Sequence, residues 1–273
     1  MIDTVSLDPN RHVPGVRRHP GFGDTLRAEW LKFWSVRSTG WSVAMLFVLG
    51  AGLTALVCAT SADWLASGEA DESAASFITW GLFFAQITAL VLGTLVVTSE
   101  YGTGMIRATL SATPRRGAVL VAKGLVLSGT LFVAGVVTAV AGYLAGNWFL
   151  DREGVGVALS DDGVLRSLLA SGLYLAGLGL FAMAAGLLIR HTAAALSIAL
   201  GLVFVVGNMA FLLPGTWGGW VAKLMPGNAG SAVVTPVSFN PELLAPWTGF
   251  AVFSAEVAAL LLAGWLVFRH RDA

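Results

Sequence analysis

Ser99-Glu100-Tyr101-Gly102-Thr103-Gly104-Met105-Ile106-Arg107, closed at residues 113–116 by Thr-Pro-Arg-Arg, is a polar, basic block between two long apolar runs. The run before it, 77–99, and the run after it, 114–147, each exceed the roughly 20 apolar residues needed to cross a hydrocarbon core. The pattern predicts two membrane helices that emerge on one side of a bilayer. Arg107, Arg115, Arg116 and Lys123 then cluster where they emerge. A charged, glycine-punctuated connection there suits a grip on a soluble partner.

The rest of the chain repeats this alternation. Its 273 residues are 56% hydrophobic and 12% charged, whereas soluble domains carry about 25% charged residues. The expected fold class is all-α, a polytopic membrane protein with six spans near 41–60, 77–99, 114–147, 164–189, 193–213 and 247–268. Together they form a transmembrane domain over residues 41–273. The fourth and fifth spans are separated by little more than Arg190-His191-Thr192, a tight hairpin. The third, starting from a Thr113 N-cap with Pro114 in the first turn, is about 50 Å long and should overrun the bilayer or tilt.

Charge placement orients the spans. Arg11, Arg17, Arg18, Arg27, Lys32 and Arg37 precede the first, and Arg190, Arg269 and Arg271 fall on the same side as the 2–3 connection. The other side holds mainly acids, from Asp63, Glu69, Asp71 and Glu72 to Asp151, Glu153, Asp161, Asp162 and Glu242. The excess of Lys and Arg marks the cytoplasmic side, so both termini are expected there, in a multi-pass plasma-membrane protein. No cleavable signal peptide is expected before the first span. Ten tryptophans near the two boundaries read as interfacial anchors.

Residues 1–22 are expected to be disordered. Over 23–40 a helix capped by Asp24 would place Leu26, Trp30, Phe33 and Trp34 on one face, with Arg27, Glu29 and Lys32 off it. Such a helix lies along a membrane surface.

Few residues invite chemistry. Glu100, at a helix C-terminus where the dipole disfavours a carboxylate, should have a cation, with Arg107, Arg115 and Arg116 nearest in sequence; it reads either as a solvated interfacial acid or as a clamp fixing the 2–3 loop. Glu256, midway along the sixth span, is costly as a charge. It reads either as a protonated hydrogen-bond donor or as a proton-linked transport site. Gln86 and Asn208 read as interhelical hydrogen-bonding groups, or as part of a translocation path. Gly142 and Gly146 form one GxxxG, and Gly172, Gly177, Gly179 and Gly186 line span four. The segment 214–246 reads equally as a re-entrant helix or as a plain external loop. Lone Cys58 and four scattered histidines give no metal-ligand spacing. No phosphate-binding loop or nucleophile motif occurs, so neither an enzyme nor a resident cofactor is expected, and no nucleic-acid partner.

Glu29-Trp30-Leu31-Lys32, the 99–107 block and Pro114-Arg115-Arg116…Lys123 resemble the permease subunits of ABC-2 type transporters, common in actinobacteria. The resemblance extends over the whole chain in span number and loop lengths. It implies a permease pair, as homodimer or heterodimer, working with two copies of a separate ATPase that carries ATP and Mg. It further implies an elbow helix at Asp24–Ser38 with Glu29, Trp30, Lys32, Phe33 and Trp34. A coupling helix would lie at about Thr103–Ala112, where Thr103, Met105, Ile106, Arg107 and Leu110 meet the ATPase beside Arg115 and Arg116. Export of an amphipathic antibiotic, peptide or lipid is the implied activity. The alternatives are a stand-alone proton-linked transporter and a membrane scaffold or intramembrane enzyme.

Overall fold

Long runs of Leu, Val, Ala and Phe with few breakers leave the backbone only helices in which to satisfy its own polar groups in an apolar medium. The computed structural model of the chain describes residues 21–105, 116–214, 216–240 and 242–270, with the backbone alone for Phe211. Among these residues there is no strand. The helices are α1 (Phe22–Ser35), α2 (Arg37–Ala66), α3 (Leu82–Thr103), α4 (Arg116–Arg152), α5 (Val164–Ile189), α6 (Thr192–Val206), α7 (Trp217–Leu224), α8 (Pro226–Ser231) and α9 (Pro246–His270).

Five of them, α2, α3, α4, α5 and α9, are long and apolar enough to cross a membrane. Six spans were expected. The difference lies at 193–213. There α6 has nine α-helical residues followed by six in π-helical turns, about 22 Å in all against a core of about 30 Å. It ends at Gly207-Asn208, and a short 3-10 turn at Ala210–Leu212 follows. Helix α8, within the 214–246 segment, packs back against the bundle, with Pro226, Gly227, Ala229 and Gly230 buried. Gly227 of α8 lies so close to α6 that a Cβ there would stand 2.1 Å from the Val203 carbonyl oxygen. Gly230 of α8 lies against the rings of Tyr174 and Phe253. Tyr174 is about 15 Å along α5 from its start, so α8 reaches well inside the bundle.

Helix α5 is the centre of the bundle. In its most apolar stretch 67% of residues are buried, against 28% in α2 and 17% in α9. Glycines set the closest crossings. A Cβ on Gly93 of α3 would stand 2.2 Å from the Gly179 carbonyl oxygen of α5, and one on Gly172 of α5 would stand 2.5 Å from the Phe132 carbonyl oxygen of α4. The 142–146 GxxxG of α4 faces Ala51, Thr54 and Cys58 of α2. Facing them, α2 passes through a π-helical turn at Val48–Gly52. Thr54 joins the neighbouring backbones: its hydroxyl donates to the Gly50 carbonyl (2.7 Å) and accepts from the Gly81 N–H (2.9 Å).

Both termini of the described chain lie at one end of the bundle. There Arg116 at the start of α4 donates to the Phe268 carbonyl near the end of α9. The α5–α6 turn belongs to the same end: Thr192 donates to Thr98 of α3 (2.9 Å). At the opposite end, Ser76 and Thr79 donate to the carbonyls of Val237 and Val234, and Arg166 donates to those of Thr235 and Pro236.

Candidate functional site

At the terminal end, α1 breaks from α2 at Val36, an extended residue between two helices. Gly21 is its N-cap, and Asp24, expected in that place, sits one turn in and accepts the Gly21 N–H (2.9 Å). The face of α1 that meets the protein overlaps the expected apolar face only in part. Thr25, Glu29 and Phe33, spaced i, i+4, i+8, are buried, and Leu26 is partly so. Trp30 and Trp34 point away and are exposed. The expected apolar face is thus divided, Trp30 and Trp34 exposed and Phe33 and Leu26 turned toward the protein, while a carboxylate is buried beside them.

That carboxylate has a partner. Lys123 of α4 donates to Glu29 Oε2 (2.7 Å) and to Glu100 Oε1 of α3 (2.5 Å), and Lys32 of α1 donates to the same Glu100 oxygen (2.5 Å). The Lys123, Glu29 and Glu100 side chains are 7%, 8% and 3% exposed; that of Lys32 is 28% exposed. Two ammonium groups and two carboxylates balance, which makes burial of three of them tolerable. The cluster ties α1 to the last turn of α3 and to α4, the two arms of the 103–116 connection.

Among the described residues Glu100 has a cationic clamp, as the helix-end argument required, from Lys123 and Lys32. Arg116 is spent on the Phe268 carbonyl. Ile106, Arg107, Leu110 and Arg115, with most of the expected 103–112 coupling helix, lie outside the described residues, as do residues 1–20 of the expected disordered segment and the Thr113-Pro114 cap. Helix α3 runs to Thr103 and stops at Gly104, whose φ of 71° is the left-handed conformation a glycine supplies at a helix end. Met105 follows, exposed.

A cavity of about 400 Å³ opens beside the cluster, between α1, the start of α2, α3 and α4. Glu29, Lys32, Glu100, Lys123, Thr103 and Met105 line it together with Phe33, Val36, Leu92, Leu95, Val96 and Val126. Close by, Arg190 closes α5 with a φ of 58° and lays its guanidinium over the Tyr101 ring, 5.0 Å from the centroid. Such a stack helps hold a left-handed arginine.

A second cavity, of about 320 Å³, lies toward the opposite end. It brings Gln86 and Asn208 together with Thr79, Tyr174, Asn228 and Ser231. Gln86 is buried and interhelical as expected: its Oε1 accepts the Tyr174 hydroxyl (2.5 Å), which also lies 3.3 Å from the Gly227 carbonyl. Among the described residues Asn208, just past the end of α6, donates back to the Phe204 carbonyl (2.8 Å). Glu256 does not line this cavity. It is half-buried in α9, and its Oε2 is buried without a hydrogen-bond partner among the described residues.

Sequence reasoning missed Tyr174, and it named Glu29, Lys32 and Lys123 without bringing them together around Glu100. A signal existed for Lys123, a lysine well inside an apolar run, which in such a setting needs a carboxylate partner. Among the described residues, no group of three or more His, Cys, Asp or Glu is arranged to hold a metal ion. No known protein-family model matches the chain, and no curated protein does.

Proposed function

We propose that this chain is the membrane-spanning permease subunit of an ATP-driven ABC-2 type exporter, acting as a pair with two copies of a separate ATPase that binds ATP and Mg. The observation that carries the reading is the Lys123 cluster, which joins α1 to both arms of the 103–116 connection. A push on that connection by a soluble motor would move α1, α3 and α4 as one body. The sorting of Lys and Arg to the same end supports a cytoplasmic location for it, in a plasma-membrane protein with both termini inside. In this reading Thr103, Met105, Ile106, Arg107 and Leu110, flanked by Arg115 and Arg116, form the ATPase contact. Met105, Ile106 and Leu110 enter a groove and Arg107 pairs with an acid at its rim. The Gln86–Asn208 cavity is then part of the path for amphipathic cargo. The exposed faces of α2 and α9 are available to lipid and to the second permease copy.

Co-purification tests this: the chain expressed with its native membrane should bring down an ATPase whose turnover it stimulates. Ile106→Asp should abolish the stimulation while the permease still inserts. A chain that transports after reconstitution alone would overturn the reading. The rival with an observation behind it is a proton-linked carrier using Glu256, whose Oε2 is buried and unpartnered. Such a carrier would lose transport on Glu256→Gln alone and would need no ATPase.

A further inference from the structure

The second cavity, of about 320 Å³, is polar without being charged. Among its described residues there is no Lys, Arg, His, Asp or Glu. The positions without described side chains nearest to it in the chain, Phe211, Gly215 and Pro241, bring no charge either. Some of its polar groups are already occupied. Gln86 and Tyr174 bond to one another and to the carbonyls of Phe83 and Gly227, and the Ser76 and Thr79 hydroxyls donate to Val237 and Val234. Asn228 and Thr235 are different. Asn228 spends one N–H on the Ala222 carbonyl (3.0 Å), which leaves its own oxygen and a second N–H. The Thr235 hydroxyl has no hydrogen-bond partner among the described residues. Both residues line the cavity and are partly exposed, and neither side-chain oxygen is buried. Asn228 packs against Gly207. The next residue, the exposed Asn208, likewise spends one N–H on a carbonyl and keeps its oxygen. These open, neutral groups share the cavity with the rings of Phe83 and Phe239, both exposed at its rim.

We propose that this cavity binds the uncharged, hydroxyl-bearing head of an amphiphile and rejects ionised heads. A hydroxyl both donates and accepts, as Asn208, Asn228 and Thr235 each can at one side-chain end. The apolar part of the ligand lies over Phe83 and Phe239. An ionised head would give up its water here with no counter-charge to replace it, which is expensive. The inference deepens the reading of this cavity as part of the cargo path, and rests on it: charge is the property by which cargo is sorted there.

The test uses the full chain in phosphatidylcholine nanodiscs, with no sugar detergent to compete, and four probes that share a hexadecyl chain. They are hexadecylglycerol, its dimethyl ether, hexadecyl sulfate and hexadecyltrimethylammonium, and the bound probe is counted by native mass spectrometry. Asn208 is exposed, so its variants should fold. Asn208→Trp fills the rim, and the binding it removes is the binding at the site. Site-bound hexadecylglycerol should be held about tenfold or more over either ion, and several-fold over the dimethyl ether, which is neutral but has no donor. Asn208→Asp should turn the preference toward the ammonium probe and Asn208→Lys toward the sulfate. A residue with a merely structural role would not reverse the order in this way. Equal binding of the neutral and ionised heads would overturn the proposal, as would an order of preference unchanged in both charged variants. The co-purification test uses no probe and this one no ATPase, so the two readings fail separately.

Discussion

Lys123→Met should be the most damaging single change at the terminal end, and the geometry says why. Methionine keeps most of the lysine's length and removes its charge. Among the described residues Glu29 then has no ion-pair partner, at 8% side-chain exposure, and Glu100 keeps the partly exposed Lys32. Removing one member of a buried ion pair costs about 3–5 kcal/mol, because the other charge is left uncompensated. At about 2–4 °C per kcal/mol for a chain of this class, the apparent melting temperature should fall on the order of 10 °C. Lys32→Met removes a partly solvated cation from a carboxylate that keeps Lys123. Pairs of that kind are worth about 1 kcal/mol or less, so the fall should be about 2 °C. Intrinsic tryptophan fluorescence of the detergent-purified chain measures both, since Trp30 and Trp34 report on α1. A third variant isolates the cause. Glu29→Gln, Glu100→Gln and Lys123→Met combined removes the stranded carboxylates and should melt above Lys123→Met alone. Equal shifts for the two lysines, or a triple variant no better than the single, would refute the argument.

The tight crossing of α3 and α5 predicts that Gly93→Ala, whose new methyl would meet the Gly179 carbonyl at 2.2 Å, loses about 1–3 kcal/mol to overpacking. Gly129→Ala in α4 meets nothing within 4 Å and should be neutral or gain up to about 1 kcal/mol; comparing their melting temperatures checks both. Glu256→Leu removes a buried oxygen without a partner and should raise the melting temperature of the isolated chain. Transport lost by that more stable variant would place the residue's role in function, while a lower melting temperature would show that its carboxyl has a partner after all. In a Cys58→Ser background, single cysteines at 70 or 155 should label from outside the cell and those at 103 or 190 only after permeabilisation. External labelling at 103 would reverse the orientation.

What was legible in the sequence, and what was not, follows from the range of the interactions. Span existence rests on local composition, and five of six apolar runs became long helices. The tight α5–α6 turn at Arg190-His191 was likewise local. The run at 193–213 failed because its apolar content continues through Gly207-Asn208, where the helix stops. Beyond it packs α8, whose glycines fit between α5, α6 and α9. Helix periodicity placed Leu26, Trp30, Phe33 and Trp34 together correctly as geometry. It could not say which face of α1 meets protein and which meets solvent or lipid. That was decided by Lys123, 94 residues from Glu29, a partner no local pattern contains. The same distance hid Tyr174, which reaches Gln86 from 88 residues away.

The cluster also fixes what can move with what. Helix α1 cannot leave α4 without stranding Glu29, and α3 cannot leave either without stranding Glu100, so these three form one unit at the terminal end. The α5–α6 turn joins α3 through a neutral hydroxyl pair, Thr98 and Thr192, and through the Arg190–Tyr101 stack. Among the described residues α9 and α4 share one hydrogen bond at this end, from Arg116 to the Phe268 carbonyl. A neutral hydrogen bond is worth about 1 kcal/mol and a buried ion pair several times more when broken. Under the proposed coupling, force applied at the 103–116 connection would therefore yield first at the seams toward α9 and the α5–α6 turn. The bridge between α1, α3 and α4 would hold. The Gln86–Tyr174 contact spans the α3–α5 seam within the second cavity, so a shift of the charged unit against α5 would be felt there, where cargo would lie.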